Sequence, residues 1–142
     1  MRNPAILYPL FALAAWTLLV LLLIPVARVR SVRRREIAPD DFKLGESAKV
    51  PGRVSIPNRN YMNLLELPML FYVVGIVLYV TGGASSLTIA LAWAFVALRI
   101  VHSLIHLSYN HVLHRLAAFT LANVPLVLLW VAAGLHLLSA SP

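Results

Sequence analysis

The apolar run AILYPLFALAAWTLLVLLLIPV, residues 5–26, contains no charged side chain. At about 1.5 Å per residue, a helix of this length spans a hydrocarbon core of roughly 30 Å. A secretory signal would have a shorter apolar core, a basic start and a cleavage site made of small residues. Here the basic residues follow the run instead, so we predict a retained membrane helix at residues 5–26.

Three further apolar runs follow at residues 62–81, 86–107 and 116–138. The chain has 142 residues, of which 61% are hydrophobic, and a soluble domain of this size cannot bury so much apolar surface. We therefore predict one all-α domain over residues 1–142, an integral membrane four-helix bundle with a polar loop at residues 27–61. The chain has no cysteine, so any thiol chemistry requires a thiol that a substrate supplies.

The basic residues are distributed very unevenly among the predicted loops. The polar loop holds nine of the twelve Lys and Arg residues, the second loop holds none, and the third holds Arg115 with two histidines. Positively charged loops stay in the cytoplasm, so we predict that the first and third loops are cytoplasmic and both termini are not. The termini then face the periplasm in a bacterium or the lumen in a eukaryote, and of these we expect a bacterial inner membrane. The net charge of +7 then reflects topology and contact with anionic lipid, with no nucleic acid partner.

Polar side chains interrupt the second and third apolar runs in a regular pattern. One set lies at spacings i, i+4 and i+7 and consists of Arg59, Asn63 and Glu66. The other lies at i, i+3, i+7 and i+10 and consists of Arg99, His102, His106 and Tyr109. Each set shares one helix face, and antiparallel packing brings both sets to the same membrane level. We predict a cationic pocket with one carboxylate near the cytoplasmic ends, suited to a small anionic ligand.

Other interpretations of these polar residues remain open. Glu66 and Arg99 could pair only to lock two helices together, and Asn63 could form an interhelical hydrogen bond. A single salt bridge leaves the two histidines, the tyrosine and the other arginines unexplained. A haem carrier needs two histidines at one depth on facing helices, whereas His102 and His106 share a helix and His136 lies at the opposite end. We predict no metal site, because the histidines lack a carboxylate partner at helical spacing.

The second predicted helix begins with Arg59-Asn60-Tyr61-Met62-Asn63-Leu64-Leu65-Glu66, followed by Leu67-Pro68. This Arg-x-x-x-Asn-x-x-Glu motif resembles the MAPEG superfamily, the membrane-associated proteins of eicosanoid and glutathione metabolism. The stretch from Arg99 to Arg115, the four short membrane helices and the basic first loop are also similar to that family. Within it, the chain most resembles bacterial-type proteins related to microsomal glutathione transferase and prostaglandin E synthase.

The resemblance implies a homotrimer with glutathione bound as a cosubstrate between adjacent subunits. The positions that match the family's glutathione site are Arg59, Asn63, Glu66, Arg99, His102 and Arg115. Arg28 or Arg30 would supply the basic residue at the end of the first helix. Arg115 matches the arginine that stabilises the thiolate, since a thiol with a pKa near about 8.5 needs a nearby cation to ionise at neutral pH. The implied function is the conjugation or reduction of lipophilic electrophiles or lipid peroxides.

The chain also departs from the family pattern at several of these positions. His106 and Leu67 stand where family members have tyrosine, Leu64 replaces an acidic residue, and Leu116 replaces a serine. These replacements argue against the eicosanoid-forming reactions of the family. They also support an alternative function, a non-catalytic membrane protein that binds a lipid or a partner in the intersubunit cleft.

Overall fold

The computed structural model describes residues 2–43, 45 and 47–140, and this part of the chain forms helices without any strand. The α-helices are α1 (Leu7–Arg33), α2 (Gly52–Leu65), α3 (Leu67–Thr81), α4 (Ser86–Leu107) and α5 (Val112–Ala140). Only Glu66 separates α2 from α3, so together they form one helical segment. The described chain therefore has four segments that are long and apolar enough to cross a membrane. This confirms the predicted all-α class.

Two helices extend into the stretch that the sequence suggests is a polar loop. Helix α1 continues to Arg33, and α2 already begins at Gly52. The apolar pattern ends at the first charged side chain, but arginine is a good helix former and the helix continues through it. The irregular connection is consequently shorter than expected, and the basic side chains of Arg28, Arg30 and Arg33 project from a helix.

A proline breaks the second segment between α2 and α3. Pro68 has no backbone N–H, and its ring conflicts with the carbonyl four residues earlier, at Leu64. The chain responds at Glu66, whose ψ of −88° is not helical, and α3 restarts with Pro68 in its first turn, where proline is tolerated. The Glu66 N–H still donates to the Met62 carbonyl at 3.2 Å. The break therefore leaves an exposed carboxylate beside an interrupted helix.

The core consists of apolar side chains from all four segments. The rings of Phe71 and Phe95 stack with their centroids 4.6 Å apart at the centre of the bundle. At Gly75 a Cβ atom would lie 2.7 Å from Leu10 Cδ1, so glycine allows α3 to pack closely against α1. Large apolar side chains also cover much of the outer surface, Phe11 at 71% exposure among them. An apolar exterior is expected for helices that face lipid.

One buried serine joins three helices through its hydroxyl group. Ser103 on α4 is fully buried, and its Oγ accepts hydrogen bonds from Trp16 Nε1 at 2.9 Å and from Asn60 Nδ2 at 2.6 Å. The two lone pairs of a hydroxyl oxygen accommodate both donors. Ser103 thereby fixes α1 and α2 against α4.

We expect Ser103→Ala to lower the free energy of unfolding by about 1–3 kcal/mol, because the buried Asn60 amide and the half-buried Trp16 indole N–H lose their acceptor. Unfolding by titration with a denaturing detergent measures this change. Ser86→Ala, at the exposed start of the same helix, serves as the matched control and should change stability little. Equal effects of the two substitutions would contradict the structural role of Ser103.

Candidate functional site

The turn between α4 and α5 positions the side chain of Arg115. Helix α4 ends at Leu107, and Asn110 in the turn that follows adopts a left-handed conformation with φ +50°, which asparagine tolerates better than most residues. The Asn110 N–H donates to the Ile105 carbonyl at 2.8 Å, and Asn110 Oδ1 accepts a 2.8 Å hydrogen bond from Arg115 Nη1. Asn110 in the turn after α4 therefore holds the guanidinium of Arg115 beside the start of α5.

Arg115 lies in the wall of a cavity of about 420 Å³ between α2 and the α4–α5 turn, which we call the polar cavity. Its wall combines cationic, amide and carboxylate side chains with a few apolar ones. The lining residues are Gly52, Ile56, Asn58, Arg59, Met62, Asn63, Glu66, His106, Asn110 and Arg115. Five residues of the predicted pocket thus meet at one cavity: Arg59, Asn63, Glu66, His106 and Arg115.

Two side-chain nitrogens at this cavity are buried without a hydrogen-bond partner among the described residues. His106 is 2% exposed, and its Nδ1 has no hydrogen-bond partner in the described residues. Nε of Arg115 likewise has no hydrogen-bond partner in the described residues. Because buried polar groups are nearly always paired in proteins, these two nitrogens are free to take a partner from outside the described chain. The donor set, with arginines on two helices, suits an anionic ligand.

Arg99 is fully buried on α4 and contacts the break in the second segment. Its Nη2 donates to the main-chain carbonyl of Asn63, one turn before Pro68. Within the described chain, no salt bridge joins Arg99 to Glu66, so the helix lock considered from the sequence does not form. Nε and Nη1 of Arg99 have no hydrogen-bond partner among the described residues. Its guanidinium also lies 5.8 Å from the ring centroid of Phe119.

A second cavity of about 220 Å³ lies between α2, α4 and α5, and we call it the small cavity. Its lining residues are Asn63, His102, Val112, Arg115, Leu116 and Phe119. His102 is 3% exposed, and its Nδ1 has no hydrogen-bond partner in the described part of the chain. Since Asn63 and Arg115 line both cavities, the two cavities adjoin at these side chains.

Tyr109 lies outside both cavities. The predicted face continued to Tyr109, but α4 ends at Leu107 and the tyrosine is exposed beyond it. The phenol oxygen of Tyr109, in the turn before α5, lies 3.0 Å from Nδ1 of His114 in the first turn of α5. The helical spacing does not extend to Tyr109, because the helix ends before reaching it. Arg99 stays on the predicted face but also lines neither cavity.

Arg28 and Arg30 are also separate from the polar cavity within one chain. The Arg28 guanidinium lies 4.7 Å from the ring centroid of Phe42, at the base of the polar connection. Arg30 lines a different cavity of about 340 Å³, together with Glu36 and Arg53. Arg53 pairs with Glu36 at 2.6 Å, and this ion pair together with the Ser31 hydroxyl lowers the pKa of the Glu36 carboxyl.

Sequence reasoning missed two residues that support the site. Asn110 holds Arg115, and an asparagine three residues after the third apolar run was a usable signal for a left-handed turn at the helix end. Asn60 anchors α2 to Ser103 on α4 through a fully buried side chain. It lies outside the i, i+4, i+7 spacing of Arg59, Asn63 and Glu66, so the pocket pattern did not include it.

A model of the MAPEG family matches residues 6–135 of this chain. The match covers all four segments and both cavities. No curated protein and no solved structure matches the chain significantly.

Proposed function

The chain belongs to the MAPEG family, and from this membership we propose that it is a glutathione-dependent membrane enzyme. It conjugates or reduces lipophilic electrophiles or lipid peroxides. The observation that carries this proposal is the polar cavity, where two arginines, a buried histidine and one carboxylate surround unpartnered donors. With four apolar segments and this family membership, the chain is an integral membrane protein. The family is connected with glutathione and eicosanoid metabolism.

The charges of the cavity complement those of glutathione. The tripeptide carries two carboxylates and one ammonium group. Arg59 offers a forked donor to a carboxylate, and Glu66 offers an acceptor to the ammonium group. Arg115, which Asn110 holds in place, lies next to the thiol and stabilises its ionised form. The thiolate then attacks an electrophile that arrives from the lipid phase.

The proposed assembly is a homotrimer with the site between subunits. The polar cavity is open on one side, and Arg28 and Arg30 lie at the end of α1, away from it within one chain. In a trimer, α1 of a neighbouring subunit supplies one of these arginines to the open side. The proposed location is a bacterial inner membrane, with the basic connection between α1 and α2 in the cytoplasm.

We expect glutathione to bind the detergent-solubilised protein, and Arg59→Ala and Glu66→Gln each to weaken binding by about 10- to 100-fold. Each substitution removes a charge-assisted hydrogen bond, which contributes about 1.5–3 kcal/mol. Isothermal titration calorimetry measures the affinities. Lys43→Ala serves as the matched control, because it removes an exposed cation from the polar connection, away from the cavity. No binding of glutathione at millimolar concentration would refute the proposed function.

A non-catalytic lipid-binding role is the second candidate, and one observation favours it. A mostly apolar groove of about 450 Å³ lies between α1 and the α2–α3 segment, with Thr17, Tyr61 and Tyr72 in its wall. Such a groove suits an acyl chain. If the protein binds phospholipid, and binds glutathione without any turnover, the lipid-binding role is favoured over the enzymatic one.

A further inference from the structure

We propose that the end of α1 binds one anionic phospholipid at a defined site that is separate from the polar cavity. A groove of about 520 Å³ lies along this part of the helix, and we call it the α1 groove. Its wall is apolar towards the middle of α1 and cationic towards the end. The lining residues are Pro25, Val26, Val29, Arg30, Arg33 and Arg34. The lipid phosphate contacts the arginines, and an acyl chain lies against the apolar side chains.

The change from apolar to cationic along the α1 groove follows from helical spacing. Positions 26, 29, 30 and 33 recur at i, i+3, i+4 and i+7, so their side chains share one face of α1. The uncharged run ends at residue 26, and at about 1.5 Å per residue Arg30 and Arg33 lie about 6 Å and 10 Å farther along the axis. The headgroup layer is roughly 5–8 Å thick on each side of the hydrocarbon core. The α1 groove therefore passes from hydrocarbon into headgroups, as a phospholipid does.

The arginines of the α1 groove keep their charge for a ligand. All three are exposed, and none forms a salt bridge within the described part of the chain. The carboxylate of Glu36, in the adjoining cavity of about 340 Å³, already pairs with Arg53 at 2.6 Å and accepts a 2.7 Å hydrogen bond from the Ser31 hydroxyl. A phosphodiester suits the arginines, because a guanidinium group donates two parallel hydrogen bonds to phosphate oxygens.

The adjoining cavity determines which headgroup fits beyond the phosphate. Arg30 and Arg34 line both this cavity and the α1 groove, so a headgroup attached to the bound phosphate extends into the cavity. An ammonium group there would lie among Arg30, Arg34 and Arg53, and the one carboxylate in the wall is already paired. A glycerol headgroup carries no charge and meets no such repulsion. Phosphatidylglycerol is therefore favoured over phosphatidylcholine.

This lipid site is distinct from the other sites of the molecule. None of the residues of the α1 groove lines the polar cavity or the small cavity. The apolar groove between α1 and the α2–α3 segment has no arginine in its wall, so it offers nothing to a phosphate. Phospholipid can consequently occupy the α1 groove whether or not the protein binds glutathione.

Native mass spectrometry of the detergent-solubilised protein, titrated with phosphatidylglycerol, counts the lipids bound to each chain and measures their affinity. We expect one tightly bound lipid per chain, and we expect the double variant Arg33→Gln, Arg34→Gln to weaken it by about 10- to 30-fold. The control Arg35→Gln, Lys43→Gln removes the same charge from exposed positions outside the α1 groove and the adjoining cavity, and should stay within about twofold of wild type. Equal losses in the two double variants would overturn the inference, since net charge alone would then explain binding.

Two further ligands test the two halves of the site. Phosphatidylcholine with the same acyl chains should bind at least about tenfold more weakly than phosphatidylglycerol, because it has no net negative charge. Glycerol 1-phosphate, which lacks the chains, should not displace the lipid. Equal affinity for the two lipids would refute recognition of the charge. Displacement by glycerol 1-phosphate would instead assign the arginines to a soluble phosphoester.

A substitution in the apolar part tests the site without changing its charge. We expect Val29→Gln to weaken phosphatidylglycerol by about fivefold, whereas Leu113→Gln, exposed at the same end of the bundle but outside the α1 groove, leaves it unchanged. Calorimetry on the Arg33→Gln, Arg34→Gln variant should give the wild-type affinity for glutathione. Glutathione binding without a lipid site refutes this inference alone, and a lipid site without glutathione binding refutes only the proposed function.

Discussion

Replacing Arg115 by alanine is expected to lower kcat for glutathione conjugation by about 100- to 1,000-fold, with a much smaller change in glutathione affinity. Removing one preorganised group that stabilises a developing or ionised anion costs an enzyme about this much. Arg115 is preorganised here, because Asn110 fixes Nη1 at 2.8 Å and Nε is buried without a partner among the described residues. The guanidinium therefore needs no rearrangement before it meets the thiolate.

Two measurements separate this role from a structural one. The ultraviolet absorbance of bound thiolate reports ionisation directly, and we expect it to disappear in Arg115→Ala at neutral pH. Arg115→Lys keeps the charge without the forked donor, so it should retain part of the activity. His114→Ala changes the preceding exposed side chain, which lies outside both cavities, and should behave as wild type. An unchanged kcat in Arg115→Ala would refute the role of Arg115.

The structure brings five of the residues predicted for the pocket to the polar cavity, because helical periodicity determines which side chains share a face. Arg59, Asn63 and Glu66 repeat at one face of α2, and antiparallel packing brings α4 to the same level. His106 joins them at the cavity wall for this reason. The same reasoning failed at Tyr109, since it assumed that α4 continues where Ser108 and Asn110 end it.

The partner of Arg99 could not be deduced from spacing. A buried arginine near a carboxylate suggests an ion pair, and the sequence offered Glu66. The acceptor is instead the main-chain carbonyl of Asn63, which belongs to the turn that Pro68 interrupts. Backbone carbonyls carry no sequence signal, so this contact becomes visible only when the helix break is known. The partners of Arg28 and Arg30, at the end of α1, could not be deduced from spacing either, because they depend on how the subunits assemble.

The break at Pro68 leads to the second large expected effect. In an unbroken helix, the Leu67 N–H would donate to the Asn63 carbonyl, and residue 68 would donate to the Leu64 carbonyl. Pro68→Ala restores the second donor and removes the conflict between the proline ring and the Leu64 carbonyl. We therefore expect α2 and α3 to join into one helix, with the Asn63 carbonyl withdrawn from Arg99 and the Glu66 side chain rotated away from its present direction.

This rearrangement should lower the affinity for the ligand without lowering the stability of the protein. We expect Pro68→Ala to leave the free energy of unfolding unchanged or to raise it by up to about 3 kcal/mol, the difference between alanine and proline inside a helix. Glutathione affinity should fall by about 10- to 100-fold, as expected for the loss of one or more charge-assisted hydrogen bonds at the polar cavity. Calorimetry and detergent-induced unfolding measure the two effects on the same preparation.

Pro125→Ala is the matched control for this experiment. Pro125 is buried inside α5, which continues through it, and it lines neither cavity. Its replacement can change stability but should leave glutathione affinity at the wild-type value. If Pro68→Ala also retained wild-type affinity, the helix break would be irrelevant to binding. A loss of affinity confined to Pro68→Ala would instead identify the break as the feature that orients Glu66 and the Asn63–Arg99 contact for the ligand.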